Sequence, residues 1–302
     1  MEINNIKGHA AALGSNVMWG LMAPVSKTVM ASALVTPLLL SGFRMFGAAV
    51  LFWIASMFTP HEHVSRTDLL LLAGAGLLGI VFNQGCYLFG VNLTSPGEAA
   101  IITTTMPLWV MFLAWMLLGE PITVRKAGGI AVGATGAIML VHGAAGAEAG
   151  SAPMLGDLLV LCAQLSYALY LTLYRNFIRR YTVFTLMKWM FTFAALASAP
   201  LVLPEAARLD WHAMTSTDIL GSVYVVVCGT FLAYICIMIG QKNLRPTMVG
   251  MYNYVQPIVA MGVGIALGMD SFTPAKAVAV ALVFAGVFMV NTSKGRTPAP
   301  AK

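Results

Sequence analysis

Ten apolar stretches, each cut from the next by a short cluster of polar residues, proline or glycine, run the length of this 302-residue chain. They extend from Gly8 to Met30, Leu34 to Phe58, Leu69 to Leu93, Gly97 to Leu118 and Thr123 to His142, then from Leu155 to Asn176, Thr182 to Leu203, Asp218 to Gly240, Thr247 to Gly268 and Thr273 to Asn291. About 20 residues of helix rise ~30 Å, the thickness of a bilayer's hydrocarbon core, so each stretch is long enough to cross it. With 59% hydrophobic and 9% charged residues, a disordered chain, a coiled coil and an ordinary water-soluble enzyme are excluded. The intervals are too short to fold as a soluble domain. The expected fold is therefore all-α, a polytopic membrane protein of ten transmembrane helices whose first span is an uncleaved one.

Turn chemistry separates the spans at Thr36-Pro37, Thr59-Pro60, Ser95-Pro96-Gly97, Gly119-Glu120-Pro121, Leu203-Pro204, Arg245-Pro246 and Thr273-Pro274. The basic residues orient them. With the N-terminus in the cytoplasm, twelve loop or tail Lys and Arg fall inside (Lys7, Arg66, Arg125, Lys126, Arg175, Arg179, Arg180, Lys242, Arg245, Lys294, Arg296 and Lys302) and three outside (Lys27, Arg208 and Lys276). That asymmetry predicts both termini on the cytoplasmic side of a cell (inner) membrane. The net charge of +6 forms no groove-sized basic patch interleaved with aromatics, so nucleic acid is not an expected partner.

The chain repeats itself. A shift of 150 places Gly90 on Gly240, Pro96 on Pro246, Pro107 on Pro257, Leu117 on Leu267, Glu120 on Asp270, Thr123 on Thr273, Lys126 on Lys276 and Gly136 on Gly286. Shifts of 148 and 144 place Asn16, Trp19 and Lys27 on Gln164, Tyr167 and Arg175, and Arg44 and Pro60 on Lys188 and Pro204. Two copies of a five-helix unit follow, residues 1–148 and 149–302. Because five is odd, the second copy enters the membrane from the opposite face, which makes the repeats inverted and suits alternating access to one central site.

Hydrogen-bonding side chains inside a bilayer face the bundle interior or a wet cavity. They concentrate on the first, third, fourth, sixth, eighth and ninth spans. The candidate substrate-binding residues are Asn16, Trp19, Asn83, Gln84, Tyr87, Thr103, Thr104 and Trp109 from the first copy. From the second they are Gln164, Tyr167, Tyr234, Tyr252, Asn253 and Gln256. In the repeat register Thr103 matches Asn253, Thr104 matches Tyr254 and Gln84 matches Tyr234, and such pairs are expected to face each other across one cavity. Interhelical hydrogen bonding is the competing account of each residue taken singly. Pro107 and Pro257, read as mid-helix, are candidate hinges.

Arg44 lies near mid-depth of the second span, where its charge must be paired, solvated in the cavity or snorkelling; it joins the substrate-binding candidates. Lys188 sits shallower and is expected to snorkel. No Asp or Glu is at mid-membrane: Glu120, Asp157, Asp218 and Asp270 lie at span edges, where helix-terminus electrostatics account for them. Glu98 near the outer mouth is the remaining candidate for a coupling proton. The five histidines occupy ends or loops without ligand spacing, and Cys86, Cys162, Cys228 and Cys236 read as buried hydrophobes, so neither metal nor cofactor is expected. Gly129 with Gly133, and Gly264 with Gly268, form GxxxG steps that close within one chain or build a homodimer face.

Trp19-Gly20 with Pro24, the Arg44 helix, Asn92-Leu93-Thr94-Ser95-Pro96-Gly97-Glu98-Ala99-Ala100 leading into Thr103-Thr104-Thr105-Met106-Pro107, and Gly119-Glu120-Pro121-Ile122-Thr123 before a glycine-rich span resemble the EamA family of the drug/metabolite transporter superfamily. The resemblance covers nearly the whole chain, twice. It implies ten helices with cytoplasmic termini, a central cavity and export of amino acids or other small metabolites by secondary transport. It also matches Arg44 to the second-helix arginine, Pro107 and Pro257 to the fourth- and ninth-helix prolines, and Glu120 to the acid closing the fourth helix.

An intramembrane enzyme would need HExxH, GxGD or GxSG, and primary transport would need GxxxxGK[ST]; the chain has none of them. The expected function is a secondary transporter of a small amphipathic solute, such as an amino acid or an aromatic metabolite, within the lipid bilayer. A non-transporting sensor or scaffold is the alternative.

Overall fold

The computed structural model describes residues 2–30, 32, 34–93, 102–142, 153–266 and 273–293. The Ser95-Pro96-Gly97 turn, Glu98, Gly268 and Asp270 lie outside them. The described residues form helices and no strand. α1 (Glu2–Met30) and α2 (Pro37–Ser56) come first. α3 (Arg66–Gly76) then runs through a π-helical segment (Leu77–Phe82) into α4 (Asn83–Leu93). α5 (Met106–Leu118), α6 (Val124–His142), α7 (Pro153–Leu173) and α8 (Val183–Ala206) follow. α9 (Ser216–Val226) continues through a second π segment (Val227–Leu232) into α10 (Ala233–Asn243). α11 (Pro246–Met251), a 3-10 turn (Tyr252–Tyr254), α12 (Val255–Ala266) and α13 (Pro274–Asn291) complete the chain.

Six runs are long and apolar enough to cross a membrane: Pro37–Ser56, Arg66–Gly90, Met154–Leu173, Val183–Ala206, Ser216–Asn243 and Pro274–Asn291. The Thr-Pro turn signals act as the sequence leads one to expect. Thr36 and Thr273 cap α2 and α13 with proline in the first turn, and Thr215 with Asp218 forms a capping box for α9. Leu203-Pro204 does not end a helix. α8 passes through Pro200 and Pro204 to Ala206, each proline removing one intrahelical N–H donor without stopping the helix.

α6 packs along α13, α2 along α8, α4 and α5 on α7, and α1 on α10 and α12. Every one of these contacts joins the first half of the chain to the second. Glycines permit the closest approaches: a Cβ on Gly286 would stand 2.5 Å from the Gly129 carbonyl oxygen, and one on Gly133 would stand 2.7 Å from the Tyr254 ring. The Gly129/Gly133 step is thus engaged inside the chain.

The two π segments stand 150 residues apart, as do Gly79 and Gly229 within them. Added Cβ atoms there would meet Tyr170 of α7 at 2.9 Å and Met22 of α1 at 2.7 Å. A second matched irregularity involves the prolines. Pro107 lies in the first turn of α5, after a turn at Thr104 and Thr105, and Pro257 is the third residue of α12, after the 3-10 turn. Neither is mid-helix as read from sequence. In the first turn the missing N–H leaves no intrahelical bond unmade, which is why the helices restart there.

Candidate functional site

The helical irregularities position the polar side chains. In the second π segment Gly229 offers its carbonyl to Trp19 Nε1 at 3.0 Å, and in the first Leu78 offers its own to Ser166 Oγ at 2.7 Å. Widened helical turns release such acceptors, and each is taken by a helix from the other half of the chain. Thr230, fully buried, donates from Oγ1 to the Val225 carbonyl at 2.8 Å and accepts from Arg44 Nε at 3.0 Å.

Arg44 anchors a cluster. Tyr87 and Tyr234 lie within its electrostatic reach. Gln84, one turn before Tyr87 on the same face of α4, donates from Nε2 to the Tyr234 hydroxyl at 2.8 Å. Trp19 and Phe191 set their rings edge-on to Tyr234 at 5.7 and 5.0 Å. Gln84 Oε1 is buried with no hydrogen-bond partner among the described residues, while Tyr87 keeps 40% of its surface accessible.

A second group joins α1 to the α11–α12 break. Gln256 Nε2 donates to Asn16 Oδ1 at 2.9 Å and to Asn253 Oδ1 at 3.3 Å, and Asn16 Nδ2 donates to the Ala12 carbonyl at 2.8 Å. The Tyr254 hydroxyl donates to the Thr104 carbonyl at 3.0 Å. Tyr252 shares a 2.8 Å hydrogen bond with His9, near the start of α1.

The remaining candidates bond to other partners, although Tyr167 lies within electrostatic reach of Tyr234. Asn83 donates to the Ala163 carbonyl at 3.0 Å, an interhelical bond. The Tyr167 hydroxyl accepts from Gln241 Nε2 at 3.3 Å, and Gln241 Oε1 accepts from Tyr170 at 3.0 Å. Gln164 is buried on α7, Thr103 precedes the α5 break, and Trp109 Nε1 is buried without a partner among the described residues. The expectation that Gln84 and Tyr234, and Thr104 and Tyr254, face each other across a gap is corrected: both pairs touch through hydrogen bonds. Lys188 sets its ammonium over the Trp53 ring at 4.8 Å and is 8% exposed. Beside it, a crevice of about 390 Å³ between α2 and α8, lined by Phe46, Val50, Trp53 and Leu196 among others, is almost wholly apolar and opens on the outside of the bundle.

Sequence reasoning missed a buried ionic cluster. Gly119 closes α5 in the left-handed conformation (φ 63°), and the Glu120 amide donates back to the Ala114 carbonyl at 3.1 Å. That turn carries the Glu120 carboxylate inward, 3.1 Å from Lys126 Nζ and 3.1 Å from Arg175, with Thr247 Oγ1 donating at 3.2 Å. Glu120 and Lys126 are both almost fully buried. Glu120 is more than a helix-end charge, because it ties α5 and α6 to the α7 and α11 ends.

At the same end Glu62 accepts from the Thr182 amide and hydroxyl, Asp68 accepts from the Tyr181 hydroxyl at 2.6 Å, and Lys242 donates to the Tyr181 carbonyl. Burial raises the Glu62 pKa, but the hydrogen bonds from Thr185 and Thr182 and the nearby Lys242 charge outweigh it and hold the group below its ordinary value. The bond to Asp68 holds the Tyr181 phenol above its usual range. Among the described residues no group of three His, Cys, Asp or Glu is placed to hold a metal ion.

The chain matches the model of the EamA-like transporter family twice, over residues 6–142 and 154–292. It is 25% identical over 260 residues to the uncharacterized transporter YetK of Bacillus subtilis, covering 84% of this chain and 78% of that one. It is 27% identical over 269 residues to the uncharacterized inner membrane transporter YedA of Escherichia coli, covering 87% and 84%. Protein PecM of Dickeya dadantii is 23% identical over 259 residues, covering 84% and 83%. A solved crystal structure that is 20% identical superposes with a TM-score of 0.77 over 93% of this chain and 95% of its own.

Proposed function

Since the chain belongs to the EamA-like transporter family, we propose that this membrane transporter exports amino acids or related small amphipathic metabolites by secondary transport. Two inverted five-helix repeats, residues 1–148 and 149–302, make ten spans in a cell (inner) membrane with both termini cytoplasmic. Alternating access rocks one repeat against the other around a central site, and the helix breaks at Pro107 and Pro257 serve as hinges.

One observation carries the reading: Gln84 bonds Tyr234, and Tyr254 bonds Thr104, each across an interval of 150 residues. Residues related by a two-fold axis touch only at that axis, as in an isologous contact. For inverted repeats the axis lies in the membrane plane, so these bonds mark mid-depth, beside Arg44 and the Asn16–Gln256–Asn253 chain. The Glu120 cluster and the Glu62, Asp68 and Lys242 bonds together form the closed inner gate.

The test is counterflow of radiolabelled amino acids and aromatic metabolites in proteoliposomes, with and without a pH gradient, using wild type, Gln84→Ala and Asn253→Ala. Saturable flux that falls at least tenfold in one or both variants is expected. Unchanged flux in both removes the central-site assignment, and absence of flux for every solute removes transport itself. Acceleration by the gradient would identify a proton as the coupling ion.

A further inference from the structure

We infer that Arg44 is the anion-recognition residue of the central site, so that the solute carried must present a carboxylate, with a hydrogen-bond donor next to it that Gln84 accepts. The inference rests on the transporter reading above and narrows its solute class.

A guanidinium has five N–H donors and does not lose its proton in proteins. Nε of Arg44 is committed to Thr230 Oγ1, whose own proton goes to the Val225 carbonyl. This fixes the plane of the fork. The two terminal nitrogens have no protein acceptor among the described residues, and the ion pairs found there involve only Glu120 and Asp68. A charge held near mid-membrane without a carboxylate partner is costly unless water or a ligand's anion answers it. The planar fork suits a carboxylate, which it can bind through two parallel bonds.

The neighbours define the rest of the ligand. Gln84 spends one of its two amide N–H donors on Tyr234, leaving Oε1 buried, without a partner among the described residues and able only to accept. Gln84 is 8% exposed, so that orphaned acceptor is expensive until a donor arrives. Tyr87 is accessible and lies near Arg44. Trp19, Tyr87 and Tyr234 supply aromatic walls. One charged donor fork, one lone acceptor and aromatic surfaces complement a small organic acid bearing an amine or hydroxyl near its carboxylate. Cationic amines, esters and amides lack the anion that Arg44 requires.

The experiment pairs binding with transport. L-phenylalanine, 3-phenylpropanoate and L-phenylalaninamide are titrated into the purified full-length protein while its tryptophan fluorescence is followed, and the same three are tested for counterflow in proteoliposomes. Wild type should bind phenylalanine more tightly than phenylpropanoate, and either at least about tenfold more tightly than the amide. Arg44→Gln should bring the acid-to-amide ratio close to one, and Arg44→Lys, which keeps the charge and loses the fork, should retain a preference for acids at reduced affinity. Melting curves identify a variant that fails to fold, in which case Arg44→Lys and the wild-type ligand series decide. Equal binding of acid and amide by wild type, an acid preference that survives Arg44→Gln, or no saturable binding of any of the three overturns the inference. Acid-selective binding without flux sustains the subsite and counts against transport, whereas saturable flux of the amide alone sustains transport and removes the subsite.

Discussion

The Gln84 side-chain amide donates to the Tyr234 hydroxyl at 2.8 Å, and Tyr234 occupies the position in the second half of the chain that Gln84 occupies in the first. The two π segments that precede them repeat the same interval. A residue thus touches its own counterpart, next to Arg44 and under the edge of Trp19, and the bond joins the two halves where the polar candidates of both converge.

Tyr234→Phe deletes the acceptor and strands the Gln84 amide in a buried site. A loss of about 1–3 kcal/mol is expected, read as a lower melting temperature of the purified protein. Adding Gln84→Leu removes the stranded group, so the double variant should melt above Tyr234→Phe. A single variant as stable as wild type would contradict the bond's role.

Glu120→Ala leaves Lys126, which is 1% exposed, as an uncompensated buried charge. Breaking such a pair costs on the order of 3–5 kcal/mol, while replacing both partners by apolar residues of similar volume costs far less. Glu120→Leu with Lys126→Met should therefore be more stable than Glu120→Ala alone in thermal melts. The reverse order would mean that the carboxylate is not what holds Lys126.

Gly286→Ala places a Cβ 2.5 Å from the Gly129 carbonyl oxygen, where α6 and α13 cross. Backbone there cannot give way cheaply, and a destabilisation of about 1–3 kcal/mol is expected. Gly14→Ala, whose Cβ would meet nothing within 4 Å, should be neutral or stabilising by roughly 0.5–1 kcal/mol. Equal melting temperatures for the two variants would refute the close helix approach.

Because the Glu62 pKa is depressed in the folded protein, its contribution to stability is present above the ordinary carboxylate range and is lost as pH falls through the folded value. Wild type should exceed Glu62→Gln in melting temperature at pH 7, and the difference should shrink on acidification below about pH 4. A difference that grows with acidification would contradict the hydrogen bonds from Thr182 and Thr185.

Much of this was legible along the chain. The six long apolar runs follow from bilayer thickness, and the Thr36-Pro37 and Thr273-Pro274 caps follow from local hydrogen bonding, so both could be read without coordinates. The interval of 150 was legible too, because Pro107 with Pro257 and Lys126 with Lys276 keep one register. The role of Glu120 was not. Next to a helix end it reads as a terminal charge, and its partners Arg175 and Thr247 are 55 and 127 residues away.

The sequence by itself determined that the chain is helical, apolar enough for a membrane, and internally doubled, since periodicity, length and self-similarity are properties of one dimension. Only the tertiary structure decided which equivalent residues touch. Equivalence under a shift says that Gln84 and Tyr234 hold matching positions in the two halves, but the distance between them depends on how those halves pack. That distance is set by packing between helices far apart in the chain, through Gly79 against Tyr170 and Gly229 against Met22. The same packing closed the Gln84–Tyr234 and Tyr254–Thr104 contacts and left the terminal nitrogens of Arg44 without a protein acceptor among the described residues.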